Sequence, residues 1–435
     1  MQLSIVFPCL NEAASLGQCL DEAKDAVRAA GITEVEIIVA DNGSDDGSRQ
    51  IAEGAGVRVI DVRERGYGAA LRKGIGEARG NYVAFADCDG TYDCHDLVRL
   101  FQTAIEHDAD LAIGARLGKP DRIAPGAMPA MHRHLGTPVL TWLIRFLFSG
   151  KMEARSCGER RVGIERRCLR ISADGYRSVP TKRPLIWESL FGSRPNGALS
   201  DCNCGARCVR KEAYESWCLR SNGMEFASEM LIEALRQGSR IVEIPISLRK
   251  AADGRIAHLH TWRDGMRHLL FILAQEPRVF ERSGLAITAT ASMGQVAAWA
   301  LGPITIAQIE FLHWHSQLLL MMVAVLGAHG YFIGLALFSR ESRNLESGTR
   351  AKRNGRSKAL RVSRQLIDLR EDRLLLAAVL TTAAAVGTLA WLVAIWSGAG
   401  FHGISEMQSL LGVVHFLLVA GTLLAGLLGV HLLKQ

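Results

Sequence analysis

Two carboxylates one residue apart, Asp87 and Asp89, close a short apolar run in the stretch Val83 to Asp93 (Val-Ala-Phe-Ala-Asp-Cys-Asp-Gly-Thr-Tyr-Asp). Tyr82 to Ala86 reads as a buried strand. Charge at the tip of such a strand is costly unless it is paired, and a divalent cation is the simplest partner for clustered carboxylates. Magnesium and manganese take oxygen ligands, usually one or two carboxylates together with phosphate oxygens. The spacing therefore predicts an Asp-x-Asp that holds Mg²⁺ or Mn²⁺ against a diphosphate, with Asp93 as a third acid nearby. The competing reading is a solvated acidic turn built on Asp89-Gly90.

The elements that must position these acids alternate. Leu3 to Phe7, Val35 to Ala40, Val57 to Val62, Tyr82 to Ala86 and Leu111 to Gly114 read as strands. Helical periodicity fills Ser15 to Ala30 and Ser48 to Gly54, and another helix opens at Gly66-Tyr67-Gly68. This alternation predicts a doubly wound α/β sheet with parallel pairing, whose ligands sit beyond the carboxyl ends of the strands. Polar clusters after Phe7, Ala40, Ala86 and Gly114 all fall at those ends, so they form one site.

The clusters are also specific in kind. Pro8-Cys9-Leu10-Asn11-Glu12, Asp41-Asn42-Gly43-Ser44-Asp45-Asp46-Gly47 and Asp87-Cys88-Asp89 resemble the family-2 glycosyltransferases of GT-A fold. Gly126-Ala127-Met128-Pro129, His132-Arg133, Asp201 to Arg207 and Gly223 to Met230 narrow the resemblance to the branch that loads sugars onto polyprenyl phosphates. That branch includes dolichol-phosphate mannosyltransferase and the bactoprenol glucosyltransferases. The likeness covers residues 1 to about 150 and 199 to about 280. It implies an inverting hexosyltransferase using a nucleotide-diphosphate sugar of the UDP-glucose or GDP-mannose type.

The resemblance also implies roles. Asp89 is the direct metal ligand, Asp87 turns toward sugar or ribose, and Thr91 contributes at the metal. Pro8, Asn11 and Glu12 lie beside base and ribose, and Asp41 accepts from a base N–H; Asp45 and Gly68 are further nucleotide candidates. Arg116, Arg133 and Arg207 hold the acceptor phosphate, which guanidinium groups grip through paired hydrogen bonds. Glu225 and Glu229, four apart on one helix face, orient the sugar or Arg207, or cap local charge. The acceptor phosphate is already ionised near pH 7 and can attack the sugar carbon without a strong base. Catalysis then rests on alignment and on neutralising the leaving diphosphate.

The chain has 435 residues and a formal charge of +7. A GT-A domain is expected over 1–260, with an arginine-rich insertion over 151–198 where relatives pass almost directly to the Asp201 motif. That insertion reads as an exposed segment or as a basic arm touching anionic headgroups. Juxtamembrane helices are expected over 261–283, and Pro138 to Phe148 reads as interfacial around Trp142. From Gly284 the composition turns apolar. Four stretches, about 284–306, 316–338, 374–397 and 408–433, are each long enough to span a bilayer. Basic residues crowd the connection 339–373, while the other two connections hold no lysine or arginine. The positive-inside rule then places that loop, both termini and the catalytic domain in the cytoplasm of a multi-pass protein of the inner or plasma membrane.

Met1 leads straight into strand-like residues, so no N-terminal signal is expected. Ten cysteines without a Cys-x-x-Cys pair point to a reduced setting, and Cys202, Cys204 and Cys208 lack zinc-knuckle spacing. No nucleic-acid partner is expected, and the helices anchor the domain or assemble protomers. A processive polysaccharide synthase is the main rival, but its Gln-x-x-Arg-Trp motif appears only as Gln275-Glu276-Pro277-Arg278-Val279. The other rival is a non-catalytic membrane scaffold, against which the intact Asp41, Asp87 and Asp89 speak.

Overall fold

A computed structural model describes residues 1–117, 122–148, 169–170, 199–251, 261–306, 309–346, scattered positions between 363 and 398, and 404–432. The chain forms two compact units, Met1–Ile272 and Leu273–Gln435. Most of the arginine-rich insertion, most of the basic connection and most of the expected third span lie outside the described residues.

In the first unit, β1 (Leu3–Cys9) is buried along its whole length, as a strand covered on both faces must be. Next come α1 (Ala13–Ala29), β2 (Val35–Asp41), α2 (Ser48–Gly54), β3 (Arg58–Asp61), α3 (Tyr67–Glu77) and β4 (Tyr82–Phe85). Helix α1 buries Leu16, Leu20, Ala23 and Val27, the predicted stripe. Gly74 lets α3 lie close on the sheet, since a Cβ there would come 2.5 Å from Val6 Cγ1 and 3.2 Å from the Ala40 Cβ. Helix α4 (Cys94–Glu106) turns Leu97, Leu100, Phe101 and Ala104 inward and leads to β5 (Leu111–Ala115). A short π-helical turn (His132–Gly136) then runs into α5 (Thr137–Phe148).

The second half of this unit adds strands the periodicity did not show. These are the two-residue β6 (Leu169–Arg170), β7 (Arg207–Arg210) and, after α6 (Lys211–Trp217) and α7 (Phe226–Arg236), β8 (Ile241–Pro245). The sheet order is β3-β2-β1-β4-β7-β5-β8-β6. Pairing is parallel except at β7, which runs antiparallel to both neighbours. A purely parallel sheet was expected; the reversal matters because Arg207 opens β7 opposite Phe85 at the end of β4 and Ile113 near the end of β5. The segment before β7 is thereby delivered to the edge where the parallel strands end. The fold is a mixed α/β sheet of GT-A type.

Helix α8 (Thr261–Ala274) follows, and α9 (Pro277–Leu301) opens the second unit with proline in its first turn, where a missing N–H costs nothing. The expected first span is thus shifted: its helix starts at Pro277 and stops at Leu301. Ile304–Ile306 (β9) then pairs with Ile309–Phe311 (β10) in a hairpin. The juxtamembrane stretch expected over 261–283 falls in two helices, broken before Pro277. Helix α10 (Trp314–Glu346) and helix α11 (Ile404–Leu432) complete the unit. Among the described residues, three helical stretches, Pro277–Leu301, Trp314–Ser339 and Leu410–Val430, are long and apolar enough to cross a membrane.

Small residues set the packing of α9 on α10. A Cβ at Gly327 would lie 2.8 Å from the Thr288 amide nitrogen and 2.9 Å from the Gly284 carbonyl, and one at Gly334 would lie 2.6 Å from the Glu281 amide nitrogen. Interhelical hydrogen bonds join Gln295 to Gln317 at 2.9 Å and Ser292 to His415 at 3.0 Å. Where lipid supplies no hydrophobic drive between helices, close backbone approach and such polar contacts hold them together. Gly327→Leu should therefore separate α9 from α10, costing about 1–3 kcal/mol by overpacking. A lowered melting temperature of the detergent-solubilised protein would register this; an unchanged one would show that the close approach contributes nothing.

Candidate functional site

The loops after β1 and β2 are stitched to each other. Asn11 takes a left-handed backbone, φ 57°, which asparagine tolerates better than most side chains. Its N–H donates to Ser44 Oγ at 3.0 Å, and its Oδ1 accepts from the Asp45 N–H at 2.9 Å. The Glu12 N–H donates to Ser48 Oγ at 3.0 Å and the Ala13 N–H to Asp46 Oδ2 at 2.8 Å, so side chains of the β2 loop satisfy amides at the start of α1. Burial disfavours the charge on Asp46, but the hydrogen bonds from Ser48 and Ala13 outweigh it and hold the carboxyl below its usual range. Asp41, buried at the end of β2, accepts from the Ser44 N–H at 3.1 Å. Pro8, Asn11, Glu12, Asp41 and Asp45 thus meet at one edge. Gly68 has a packing role there: a Cβ on it would come 2.8 Å from both the Gly223 carbonyl and the Phe226 Cβ.

Asp87 and Asp89 follow β4 directly, and the Ser15 hydroxyl pins the loop between them by donating to the Cys88 carbonyl at 2.8 Å. Asp89 is only 4% exposed, and its Oδ1 accepts from both the amide and the hydroxyl of Thr91. Thr91 therefore orients Asp89. Asp93 is not part of this pair. It caps α4 by accepting from the His95 N–H at 2.9 Å and pairs with Arg249. Ligand atoms of Glu22, Asp93 and His95 do converge within 4.8 Å, but Arg249 already bridges both carboxylates, which gives a salt-bridged cluster. The donor chemistry of Asp87 and Asp89, two acids at a strand tip with one nearly buried, fits a hard divalent cation.

The three expected phosphate-binding arginines occupy three different settings. Arg116, 8% exposed, donates Nε and Nη2 to the two oxygens of fully buried Asp201 at 2.7 and 2.9 Å. Burial disfavours its charge, and Asp201 reverses that effect. Its guanidinium is already engaged in a bidentate pair with Asp201. Arg133 lies half-buried in the π-helical turn. Arg207, 1% exposed, donates to the carbonyls of Cys204, Ala227 and Cys202 at 2.9, 2.7 and 2.7 Å. It pairs with no carboxylate among the described residues. Burial lowers its pKa below the usual arginine value, with Cys204 and Tyr67 opposing.

Two tyrosines were missed. Burial, then the nearby Asp87 charge, push the pKa of Tyr67 well up, with Arg207 opposing. Tyr92 Oη accepts from the Gly205 N–H at 2.9 Å and from Arg116 Nη1 at 3.3 Å. His268 was missed as well: it meets Ser228 Oγ at 3.0 Å, and burial lowers its pKa against Glu225 and Asp264. The Gly66-Tyr67-Gly68 and Thr91-Tyr92 neighbourhoods were the only signals available. Glu225 stands at the N-terminal boundary of α7. Glu229 Oε2 accepts from the amides of Arg220 and Ser221 at 3.0 and 2.8 Å, the capping alternative rather than a sugar contact. Cys202 and Cys204 are buried thiols pushed up to about 12 by desolvation, a poor start for thiolate zinc ligands.

Residues 4–154 match the model of glycosyl transferase family 2. The chain carries a family-2 glycosyltransferase domain. It is 32% identical over 299 residues to the low-salt glycan biosynthesis hexosyltransferase Agl6 of Haloferax volcanii, covering 68% of this chain and 60% of that one. It is 36% identical over 133 residues to dolichyl-phosphate beta-glucosyltransferase of Drosophila melanogaster, covering 27% of this chain and 41% of that one. Glucosyl-3-phosphoglycerate synthase of Mycobacterium tuberculosis, solved with Mn²⁺, UDP and glucosyl-3-phosphoglycerate, matches at 17% identity and a TM-score of 0.42. That match covers 63% of this chain and 79% of the synthase.

Behind the site, Glu243 braces Asp201. Its carboxylate accepts from the Ser200 amide at 2.9 and 3.0 Å and from the Ser200 hydroxyl at 3.1 Å. Burial nevertheless pushes its pKa up to about 7. The folded state then holds a proton that the unfolded chain releases at a lower pH. The stability Glu243 contributes is full below its unfolded pKa, about 4.3, and is lost as pH rises through about 7. The loss is roughly 3 kcal/mol. Relative to Glu243→Gln, wild-type protein should lose melting temperature between about pH 5 and 8. Parallel pH profiles for the two proteins would contradict this.

Proposed function

We propose that the chain is a membrane-bound hexosyltransferase that moves a sugar from a nucleoside diphosphate to a polyprenyl phosphate. The observation that carries the reading is Arg207, a buried guanidinium whose partners among the described residues are carbonyls, at the strand edge that also holds Asp87 and Asp89. A buried cation without a counter-ion is costly, and an anionic substrate supplies what it lacks. Acids for a cation–diphosphate complex and a seat for a second phosphate are what transfer between two phosphorylated partners requires. The names of the two relatives, a hexosyltransferase and a dolichyl-phosphate glucosyltransferase, support the same class.

In this reading Asp41, Asn11, Glu12 and Pro8 line the nucleotide end, and Asp87 and Asp89 hold Mg²⁺ or Mn²⁺. The cation, when bound, neutralises charge that develops on the departing diphosphate. Arg207 and Arg133 face the acceptor phosphate, while Arg116, tied to Asp201, positions the strand ends around it. The acceptor phosphate oxygen forms a bond to the sugar C1 as the bond from C1 to the donor diphosphate breaks, with inversion. No strong base is needed, because the attacking oxygen is already ionised near neutral pH.

Access to a lipid follows from the surface. Met131, Leu135, Val139 and Trp142 are 53, 59, 44 and 47% exposed at three- and four-residue spacing, so one side of the turn and α5 presents an apolar stripe. Trp142 stacks on Phe146 at 5.2 Å, a combination suited to the headgroup layer. With the membrane-length helices of the second unit, the stripe favours a lipid acceptor met at the bilayer surface. The basic connection favours a cytoplasmic catalytic domain.

The test uses the full chain in detergent with a short polyprenyl phosphate, Mg²⁺ or Mn²⁺, and radiolabelled UDP-glucose or GDP-mannose. Label should pass into the organic phase only with metal, and Asp89→Ala should reduce transfer by about two orders of magnitude or more. Label appearing instead in a water-soluble polymer would replace the proposal with a polysaccharide synthase. Absence of donor consumption under every condition would remove the enzyme reading.

A further inference from the structure

Two helices hold the carbonyl cradle of Arg207 from outside it. Residues 201–206 supply two of its three carbonyls and form no helix or strand, so side chains of other elements take up their polar groups. The Cys202 N–H donates to Thr141 Oγ1 on α5 at 3.2 Å, while the carbonyl of the same residue accepts from Arg207 Nη2 at 2.7 Å. Asn203 Nδ2 donates to Thr137 Oγ1, one turn earlier on α5, at 3.4 Å. The third carbonyl, that of Ala227, lies in the first turn of α7 and accepts from Arg207 Nη1 at 2.7 Å. The next residue, Ser228, is fully buried and meets His268 Nδ1 on α8 at 3.0 Å. Asp264, His268 and Ile272 form a buried face of α8 at four-residue spacing, which turns the imidazole inward.

We propose that Thr141 and His268 are positioning residues that seat Arg207 for the acceptor phosphate, each by fixing one side of its carbonyl cradle. The proposal rests on the functional reading above, in which Arg207 meets that phosphate. A guanidinium is a planar fork that grips phosphate well only when its N–H groups are correctly aimed, so the carbonyls that engage Nη1 and Nη2 set its direction. Thr141 anchors the residue that engages Nη2, and His268 anchors the neighbour of the residue that engages Nη1. Losing either anchor tilts the fork without removing its charge. Both helices also turn exposed apolar side chains outward, Val139 and Trp142 on α5 and Trp262, Met266 and Leu270 on α8. The residues that aim Arg207 thus sit on helices whose other faces suit a bilayer surface, where a lipid-borne phosphate arrives.

The experiment measures initial rates of hexose transfer by the full chain in detergent, with radiolabelled UDP-glucose or GDP-mannose, Mn²⁺, and a short polyprenyl phosphate at stepped concentrations. Thr141→Val and His268→Leu should each raise KM for the polyprenyl phosphate about 10-fold, the effect of one lost buried hydrogen bond on the contact it supports. KM for the nucleotide sugar should stay unchanged, a split that general loosening of the fold would not produce. Thr141→Ser and His268→Asn, which keep a hydrogen-bonding atom near Oγ1 and Nδ1, should hold wild-type values. If His268→Leu does not fold, Ser228→Ala removes the same bond from the α7 side and should give the same shift. Variants with wild-type KM for the acceptor, or with both constants changed alike, would overturn the proposal while leaving the functional reading intact. Wild-type protein that transfers no label to the polyprenyl phosphate would overturn the functional reading and the proposal with it.

Discussion

The direction of one four-residue strand organises the site. Had β7 run parallel to β4 and β5, Arg207 would open it at the opposite end of the sheet, away from Asp87 and Asp89. Running antiparallel, β7 begins where its neighbours end, and the segment from Asp201 to Gly205 is laid across the strand tips. A parallel α/β sheet offers loops only from strands that end on that edge. The reversed strand adds a loop that approaches its own start, bringing cationic and backbone groups to a place otherwise lined with acids.

Two buried arginines at this edge illustrate how differently one side chain can be used. Arg116 is matched by Asp201 through two hydrogen bonds, and breaking such a pair typically costs several kcal/mol, because the partner is left charged and buried. Among the described residues Arg207 is solvated by carbonyl oxygens alone, which lowers the cost of burying it without neutralising it. The first arrangement is complete and rigid; the second is electrostatically open. In the proposed reaction an anion at this edge is drawn to Arg207, while Arg116 keeps the surrounding loops in place.

Much of the first half of the fold was legible because parallel strands buried on both faces are short continuous apolar runs, and their polar ends are easy to see. The acids at Asp41, Asp87 and Asp89 were visible for that reason. Strand β7, Arg-Cys-Val-Arg, has no such run: charged residues bound it, and its identity depends on pairing with strands more than ninety residues away in sequence. The same holds for the partners of side chains. Nothing near Arg116 in sequence announces Asp201, and nothing near Tyr67 announces Asp87, so a guanidinium and a phenol read from the sequence had no assigned neighbour. Asp93 misled for a local reason, since an acid four residues beyond an Asp-x-Asp looks like part of it but here caps a helix. The helix that carries the first apolar span differs from it at both ends because hydropathy marks composition, whereas Pro277 and Gly302 mark where the helix starts and stops.

The central claim is that the acids at the tip of β4, and not the neighbouring acid cluster at the start of α4, bind the cation that accompanies the nucleotide. The most direct measurement is anomalous diffraction from crystals of the protein grown with Mn²⁺ and UDP or GDP. The account predicts a Mn²⁺ peak about 2.0–2.6 Å from a carboxylate oxygen of Asp89 or Asp87, with the diphosphate beside it. A peak among Glu22, Asp93 and His95, with none at the tip of β4, would contradict it.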